Sequence, residues 1–259
     1  MSRGHWVALI SALIVFTAVV VVLWPRATDP TIPSQALAMP QRGAVNAEFA
    51  ADGHPVWVVG HDDGSISVLD AFSTHDPFGV NKPTWFCPGS RVFEDPFHGS
   101  RYDEFGDRIA GPAPIGLGAY AFEVGGGQIL IASEPRAGRR APGSGLGGEP
   151  PAGCATEDAL VHDYTRLSEA QSPADAQASS GGWLRLHATL IPDPATASGL
   201  LCPGRVPADG CASVDLPGME HLLGTPDDRA QASVEAWTDT GWLIHVVDGR
   251  IVEIADLFD

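Results

Sequence analysis

An uninterrupted apolar run near the N-terminus constrains this chain more than any other feature. The residues from Trp6 to Trp24 read WVALISALIVFTAVVVVLW and include no charged side chain. At a rise of about 1.5 Å per residue, a helix of this length spans roughly 28 Å, close to the thickness of the hydrocarbon core of a bilayer. A cleavable signal peptide has a shorter apolar region that ends in small residues, whereas this run ends in Trp-Pro-Arg. The sequence therefore predicts an uncleaved, single-pass transmembrane helix within residues 1–26.

The strongly acidic composition limits the partners of the remaining chain. There are 15 Lys and Arg residues against 32 Asp and Glu residues, which gives a net charge of −17. Nucleic-acid binding needs a basic face that contacts phosphates, so no nucleic-acid partner is expected. Because no second run of this kind follows, residues 27–259 should all lie on one side of a cell membrane. We favour the extracytoplasmic side for this soluble part.

The four cysteines all follow the apolar run, which agrees with an oxidising compartment. Cys202 and Cys211 are nine residues apart in a loop rich in Pro and Gly, and this spacing predicts a local disulfide. No Cys-x-x-Cys pair occurs, which argues against a four-cysteine zinc site.

Three β-hairpins are predicted from β-branched runs on either side of turn residues. They join 56–59 to 65–69 through Asp-Gly, 120–124 to 128–131 through three glycines, and 241–247 to 251–254 through Asp-Gly. Residues 71–118, between the first two hairpins, show no helical periodicity. A long irregular stretch inside a compact domain is usually functional.

Residues 95–117 carry the most specific motif in the chain. They begin Asp-Pro-Phe-His-Gly-Ser-Arg-Tyr and end Gly-Pro-Ala-Pro-Ile-Gly-Leu. This stretch resembles the second cluster-binding loop of Rieske iron–sulfur domains, which has Cys-Pro-x-His-Gly, an aromatic strand, a Gly turn and a Gly-Pro-Ala-Pro segment. Upstream, Leu-Asp-Ala-Phe-Ser-Thr-His at 69–75 looks like the strand that leads into the first loop of that family, which carries Cys-x-His. The resemblance covers about residues 45–131 and implies a Rieske-like antiparallel β domain.

The resemblance also assigns four residues to former cluster-binding positions. The histidines are retained as His75 and His98, whereas the cysteines are replaced by Ser73 and Asp95. In a Rieske centre, two histidines bind one iron and two cysteine thiolates bind the other. Serine and aspartate offer hard oxygen atoms, which are poor substitutes for a soft thiolate. A [2Fe-2S] cluster is therefore not expected, although Cys87 could supply one displaced thiolate where two are needed.

The expected fold class is mainly β, with the Rieske-like domain followed by a second small β-rich unit and preceded by one N-terminal transmembrane helix. The segments are the anchor (1–26), a Pro-bearing stalk (27–45), the Rieske-like domain (46–134), a Gly- and Pro-rich linker with a short helix (135–182) and the C-terminal β-rich unit (183–259). The short helix should begin near Thr156, with Leu160, Tyr164 and Leu167 on one face.

Three functional interpretations follow from these residues. In the first, the chain is a membrane-anchored Rieske-fold protein without a cluster, a binding or assembly module of a redox or respiratory complex rather than an enzyme. In the second, His75, His98 and Asp95 hold a single metal ion, because two imidazoles and a carboxylate form the ligand set of mononuclear non-haem iron sites. In the third, the chain transfers electrons through an atypical cluster. No catalytic residue is assigned, and the remaining histidines near the C-terminus show no ligand-like spacing: His162, His187, His221 and His245.

Overall fold

A computed structural model describes residues 36–75, 80–138, 152–154, 158–193, 196, 198–203, 210–216 and 237–256. The predicted transmembrane helix and residues 27–35 of the predicted stalk lie outside these ranges. Within them, no helix has the length and apolar character needed to cross a membrane.

Two antiparallel sheets form the first half of the described chain. The larger sheet contains β1 (Ala36–Ala38), β2 (Val45–Phe49), β3 (Pro55–Gly60), β4 (Ile66–Asp70), β9 (Ala119–Gly125) and β10 (Gln128–Arg136), in the order β1-β10-β9-β4-β3-β2. The smaller sheet is inserted between β4 and β9. It contains β5 (Trp85–Cys87), β6 (Val92–Glu94), β7 (Arg101–Tyr102) and β8 (Arg108–Ala110) in sequential order.

The core of this half lies between the two sheets. Trp57 and Leu69 of the larger sheet pack with Phe93 and Tyr102 of the smaller one, and all four side chains are buried. Every residue of β3 is buried, so both faces of this strand are covered. This explains why β3 reads as a continuous apolar run, because a strand covered on both faces has no solvent-facing positions to fill with polar residues.

The second half of the described chain is a small closed barrel. Its strands are β11 (Glu169–Ala170), β12 (Gly182–Asp193), β13 (Ser198–Cys202), β14 (Ala212–Asp215), β15 (Trp237–Val247) and β16 (Arg250–Asp256). The long strand β12 pairs with β15 over its first part and with β13 over its last part, so β12-β13-β14-β16-β15 forms a ring. Leu186, Leu190, Leu201, Trp242 and Ile254 are buried together in the core of this ring. Closure removes the exposed strand edges that an open sheet would leave.

A shared apolar cluster joins the barrel to the first half. Phe72, from the loop after β4, packs with Trp183 and Leu243 of the barrel. The backbone amide of Trp183 also donates a 2.5 Å hydrogen bond to the carbonyl of Asp52. The described residues from 36 onward accordingly belong to one compact unit.

All three predicted hairpins are present. The last one turns on Asp248 and Gly249, which both have positive φ values, as a two-residue hairpin turn requires. The larger sheet, however, begins at β1, which lies within the predicted stalk. Leu37 of β1 is buried against β10, and a three-residue strand gives no periodic signal from which to predict it. The sheet also ends at Arg136, two residues into the predicted linker.

The short helix of the predicted linker lies at Pro173–Gln177, where Ser172 caps it. The helix expected near Thr156 is corrected by the structure, although residues 155–157 lie outside the described ranges. Leu160 forms a bridge with Phe86 of β5, and Tyr164 belongs to a separate 3-10 turn, Tyr164–Arg166. The backbone of Leu160 is therefore committed to a β partner, which prevents a continuous helix through this position.

Candidate functional site

The first loop of the site follows β4 and carries Ser73 and His75. A backbone hydrogen bond from Ser73 to the carbonyl of Lys82, 2.8 Å long, closes the base of this loop. Ser73 is buried, and its hydroxyl lies 3.0 Å from the hydroxyl of Tyr102 on β7. The amide of His75 donates to the Ser73 oxygen at 3.2 Å. Ser73 thus connects its own loop to the smaller sheet.

The second loop lies between β6 and β7 and carries Asp95 and His98. The amide of Asp95 donates to the carbonyl of Ser100, and the amide of Gly99 donates back to the carbonyl of Asp95, at 2.8 and 2.9 Å. Ser100 is also buried, and its hydroxyl accepts a hydrogen bond from the amide of Ala113 at 3.1 Å. The Gly-Pro-Ala-Pro segment therefore supports the second loop from below.

Asp95 is the polar centre of the second loop and is fully buried. One carboxylate oxygen accepts from the amides of Phe97 and His98, at 2.9 and 3.1 Å. The other oxygen lies 3.2 Å from Nδ1 of His98. Both oxygens of this carboxylate are thus used within the loop that carries them.

The two retained histidines meet where the loops face each other. The ring centroids of His75 and His98 are 4.7 Å apart, and the ring planes are nearly perpendicular. The hydroxyl of Tyr102 also contacts the first loop, where it accepts a hydrogen bond from the amide of Thr74 at 3.2 Å. The structure therefore brings together all four residues that the resemblance assigned: Ser73, His75, Asp95 and His98. It places hydrogen-bonded oxygen atoms, not thiols, beside the imidazoles.

Cys87 does not belong to this site. It forms a disulfide with Cys154, and the predicted disulfide between Cys202 and Cys211 is also present. The suggestion that Cys87 is a displaced cluster ligand is corrected by this bond, because a disulfide sulfur is not a thiolate. Glu94 lies beside this disulfide and accepts from the amide of Cys154 at 2.6 Å.

Within the described chain, one group of three residues has potential metal-ligand atoms that all lie within 4.8 Å of one another. The group consists of Cys87, Glu94 and Cys154. Their sulfur atoms are joined to each other, so this group is a crosslink with a neighbouring carboxylate. His75, His98 and Asp95 lie close together, but their potential ligand atoms do not all lie within 4.8 Å of one another.

Two features were not predicted from the sequence, one inside the site and one outside it. Inside the site, the sequence predicted Tyr102 only as part of an aromatic strand. This Tyr, two residues beyond Ser100, was already part of the motif, but the hydrogen bonds of its hydroxyl were not predicted. The bond between Cys87 and Cys154 was not predicted, although four cysteines with one local pair leave these two for each other.

The sequence matches no protein-family model and no curated protein. Its structure resembles Rieske proteins. The plasma membrane Rieske protein of Synechocystis PCC 6803 is 27% identical, over 34% of this chain and 86% of that chain, with a TM-score of 0.30. The ferredoxin of carbazole 1,9a-dioxygenase from Nocardioides aromaticivorans IC177 is 28% identical, over 39% of this chain and 95% of that chain, with a TM-score of 0.30. A chain of a hyperthermophilic respiratory Complex III is 22% identical, over 49% of this chain and 95% of its own length, with a TM-score of 0.31.

The strand order and the facing loops of this chain agree with the antiparallel β domain that the motifs predict. A small sheet is inserted between β4 and β9 of a larger antiparallel sheet, and two loops bring a Ser-x-His and an Asp-x-x-His element face to face. Residues 36–136 therefore have a Rieske-like fold.

Proposed function

We propose that this chain is a membrane-anchored protein whose Rieske-like domain holds no [2Fe-2S] cluster and serves as a binding or assembly module in a membrane complex. The observation that carries the proposal is the contact between Asp95 and His98, whose carboxylate oxygen and Nδ1 are 3.2 Å apart.

The donor set does not fit a Rieske cluster. Such a cluster takes two thiolates and two imidazoles, and the thiolate positions here hold Ser73 and Asp95. The Ser73 hydroxyl is bonded to Tyr102, and both oxygens of Asp95 are bonded within their own loop. Ligand atoms that already have protein partners would have to break those bonds in order to bind iron. The loops are thus stabilised by their own hydrogen bonds.

The tip of the two loops offers a surface for a partner. Phe97 is 41% exposed between the buried Asp95 and the partly buried His98, and the Lys82 ammonium lies 5.1 Å from the centre of its ring. Aromatic residues, Phe included, are enriched at protein interfaces. The second loop can therefore contact a partner through Phe97 without enclosing a cluster.

Two features of the sequence and structure support the proposed location. The apolar run Trp6–Trp24 has the length of a membrane span, and both disulfides belong to the part of the chain that follows it. Disulfides persist in oxidising compartments. We therefore assign the Rieske-like domain and the barrel to the extracytoplasmic side of a cell membrane.

Anaerobic reconstitution with iron and sulfide tests the loss of the cluster. The wild-type chain is compared with the double variant Ser73→Cys/Asp95→Cys, and the two single variants are the matched controls with one added thiol. We expect the absorption and reduced-state EPR signal of a Rieske centre in the double variant alone. A signal in the wild type would contradict the proposal. A double variant without any signal would contradict the idea that these loops are former cluster loops.

Native electrophoresis of mildly solubilised membranes tests the assembly role. The wild-type chain should migrate within a particle larger than the chain alone, and Phe97→Ser should release it. Val247→Ser is the matched control, because Val247 is equally exposed, at 42%, on the barrel. Migration of the wild type as a single chain, or equal behaviour of both variants, would contradict the assembly role.

A single metal ion at the two histidines is the second candidate function. The 4.7 Å separation of the rings of His75 and His98 favours it, because two adjacent imidazoles form a common transition-metal site. Titration of the full chain with Zn(II) and Fe(II) separates the candidates. If tight binding occurs and the double variant His75→Ala/His98→Ala loses it, the metal site is supported. If both proteins bind weakly and equally, the binding module is supported.

A further inference from the structure

His54 lies at the contact between the first half of the described chain and the barrel. Its imidazole packs edge-on against Phe72 and Trp183, with ring centroids 4.9 and 5.3 Å away. Phe72 belongs to the loop after β4, whereas Trp183 belongs to β12 of the barrel. A single imidazole therefore packs against both sides of the apolar cluster that joins the two halves.

The imidazole of His54 is also bound to a carboxylate. Its Nε2 lies 2.9 Å from Oδ1 of Asp70 on β4, and the two side chains are only 14% and 18% exposed. The same oxygen accepts a hydrogen bond from the backbone amide of Phe72, at 2.9 Å. One carboxylate oxygen thus holds the His54 ring and the Phe72 backbone in place beside the barrel.

The backbones of the two halves approach closely beside His54. The carboxylate of Asp52 accepts a hydrogen bond from the amide of His54 at 3.0 Å, and the carbonyl of Asp52 accepts one from the amide of Trp183. A Cβ atom on Gly182 would lie only 2.7 Å from that carbonyl, so no larger residue permits this approach. The turn that carries His54 is therefore joined to the barrel by a backbone hydrogen bond.

Carboxylates from three elements act on His54. They belong to Asp70 on β4, to Asp52 in the turn before β3, and to Glu253 on β16 of the barrel. Burial by itself lowers the pKa of His54, but the three carboxylates outweigh burial and raise this pKa above its ordinary value of 6.5. The contact therefore favours the protonated imidazole, and one of the carboxylates that it attracts lies on the other half.

Three other titratable groups lie around this contact. His245 of β15 stacks on Trp183 with 4.9 Å between the ring centroids, and its Nδ1 lies 3.6 Å from the carboxylate of Glu253. Tyr120 of β9 stays neutral because burial raises the pKa of its phenol. His162 also stays neutral, because burial lowers its pKa to about 4. Neither of these two neutral groups supplies a charge that could replace the proton of the junction.

We propose that His54 is a pH-sensitive switch for the contact between the first half and the barrel. While its imidazole is protonated, it attracts Glu253 of the barrel and makes a charge-assisted hydrogen bond to Asp70. When the proton leaves, the carboxylates of Asp52 and Asp70 face that of Glu253 without this positive charge, and the contact weakens.

The sign of the effect follows from the raised pKa of His54. A group whose pKa is raised on folding stabilises the structure fully below its ordinary pKa, here 6.5, and loses this contribution as the pH rises through the pKa of the folded chain. The barrel should therefore be held more tightly in mildly acidic solution than in mildly alkaline solution.

Hydrogen exchange at the amide of Trp183 in the full chain tests the switch, because this amide is bonded to Asp52 across the contact. The protection factor corrects for the intrinsic effect of pH on exchange and is compared at about pH 6 and about pH 8.5. It should fall about five- to ten-fold in the wild type. His54→Gln still donates to Asp70 but does not titrate, and it should show equal protection at both pH values. Asp70→Asn should remove most of the fall and keeps the test decisive if His54→Gln fails to fold.

The matched control is His245→Gln, which removes the second histidine in contact with Trp183. This variant should keep the fall of the wild type. Equal protection of the wild type at both pH values would overturn the proposal, as would loss of the fall in His245→Gln or its persistence in His54→Gln. An equal fall at the amide of Val58, in the middle of the larger sheet, would reveal a loss of global stability and would also overturn it.

Discussion

The carboxylate of Asp95 lies 3.2 Å from Nδ1 of His98, and the same carboxylate accepts the backbone amides of Phe97 and His98. One side chain thus fixes both the conformation of the second loop and the orientation of the imidazole that the loop presents. The second loop is therefore stabilised by hydrogen bonds between its own residues.

Replacing Asp95 should therefore destabilise the chain in a graded way. Asp95→Ala leaves three partly buried donors without an acceptor and should lower the free energy of unfolding by about 3 kcal/mol. Asp95→Asn keeps one oxygen for the two amides and should cost about 1 kcal/mol. Urea unfolding of the two variants and the wild type measures both values. Equal losses in the two variants would show that the hydrogen bonds from the two amides to the retained oxygen do not stabilise the loop.

The two disulfides should differ in their contribution to stability. Cys87 and Cys154 are 67 residues apart, whereas Cys202 and Cys211 are 9 residues apart. The entropy of loop closure predicts losses of about 4 kcal/mol for Cys87→Ala/Cys154→Ala and about 2.5 kcal/mol for Cys202→Ala/Cys211→Ala. Urea unfolding of the two double variants gives the comparison. Non-reducing peptide mapping that finds free thiols in the wild type would contradict both bonds and the extracytoplasmic location.

Stability should fall in acid partly through His162. Burial lowers the pKa of this imidazole from 6.5 to about 4, so the unfolded chain binds the proton more readily than the folded chain between these values. The contribution of neutral His162 is complete above pH 6.5 and is lost as the pH falls toward 4. The difference in unfolding free energy between the wild type and His162→Gln should therefore shrink between pH 7 and pH 4.5. A difference that is the same at both pH values would contradict this assignment.

The apolar run should hold the chain in the membrane. The full-length protein is expected to remain in the pellet after alkaline carbonate extraction, because Trp6–Trp24 offers a continuous apolar span. Removal of residues 1–26 should release the rest of the chain to the supernatant. Release of the full-length protein, or a mature N-terminus beyond Trp24, would contradict the anchor.

The local parts of the fold could be predicted from the sequence because their signals are local. The Asp-Gly turn at Asp248 and Gly249 requires residues that tolerate positive φ, and such residues stand out between two β-branched runs. The proximity of His75 and His98 followed from a motif with fixed spacing in each loop. These elements depend on a few neighbouring residues, which a single sequence displays.

The remaining features depend on pairings between distant residues. Closure of the barrel needs Arg185 to pair with Leu243, and nothing in either strand specifies the other. The bond between Cys87 and Cys154 likewise needs Glu94 and its neighbours to bring two distant segments together. Strand register and crosslinks of this range are set by the packing of the whole core. They were accordingly absent from the expectations based on sequence.

Iron and acid-labile sulfide analysis of the full-length chain, purified without oxygen, tests the central claim most directly. The account predicts that the wild-type chain contains neither iron nor sulfide in stoichiometric amounts and has no EPR signal of a Rieske centre after reduction. About two irons and two sulfides per chain, the content of a [2Fe-2S] centre, would contradict it.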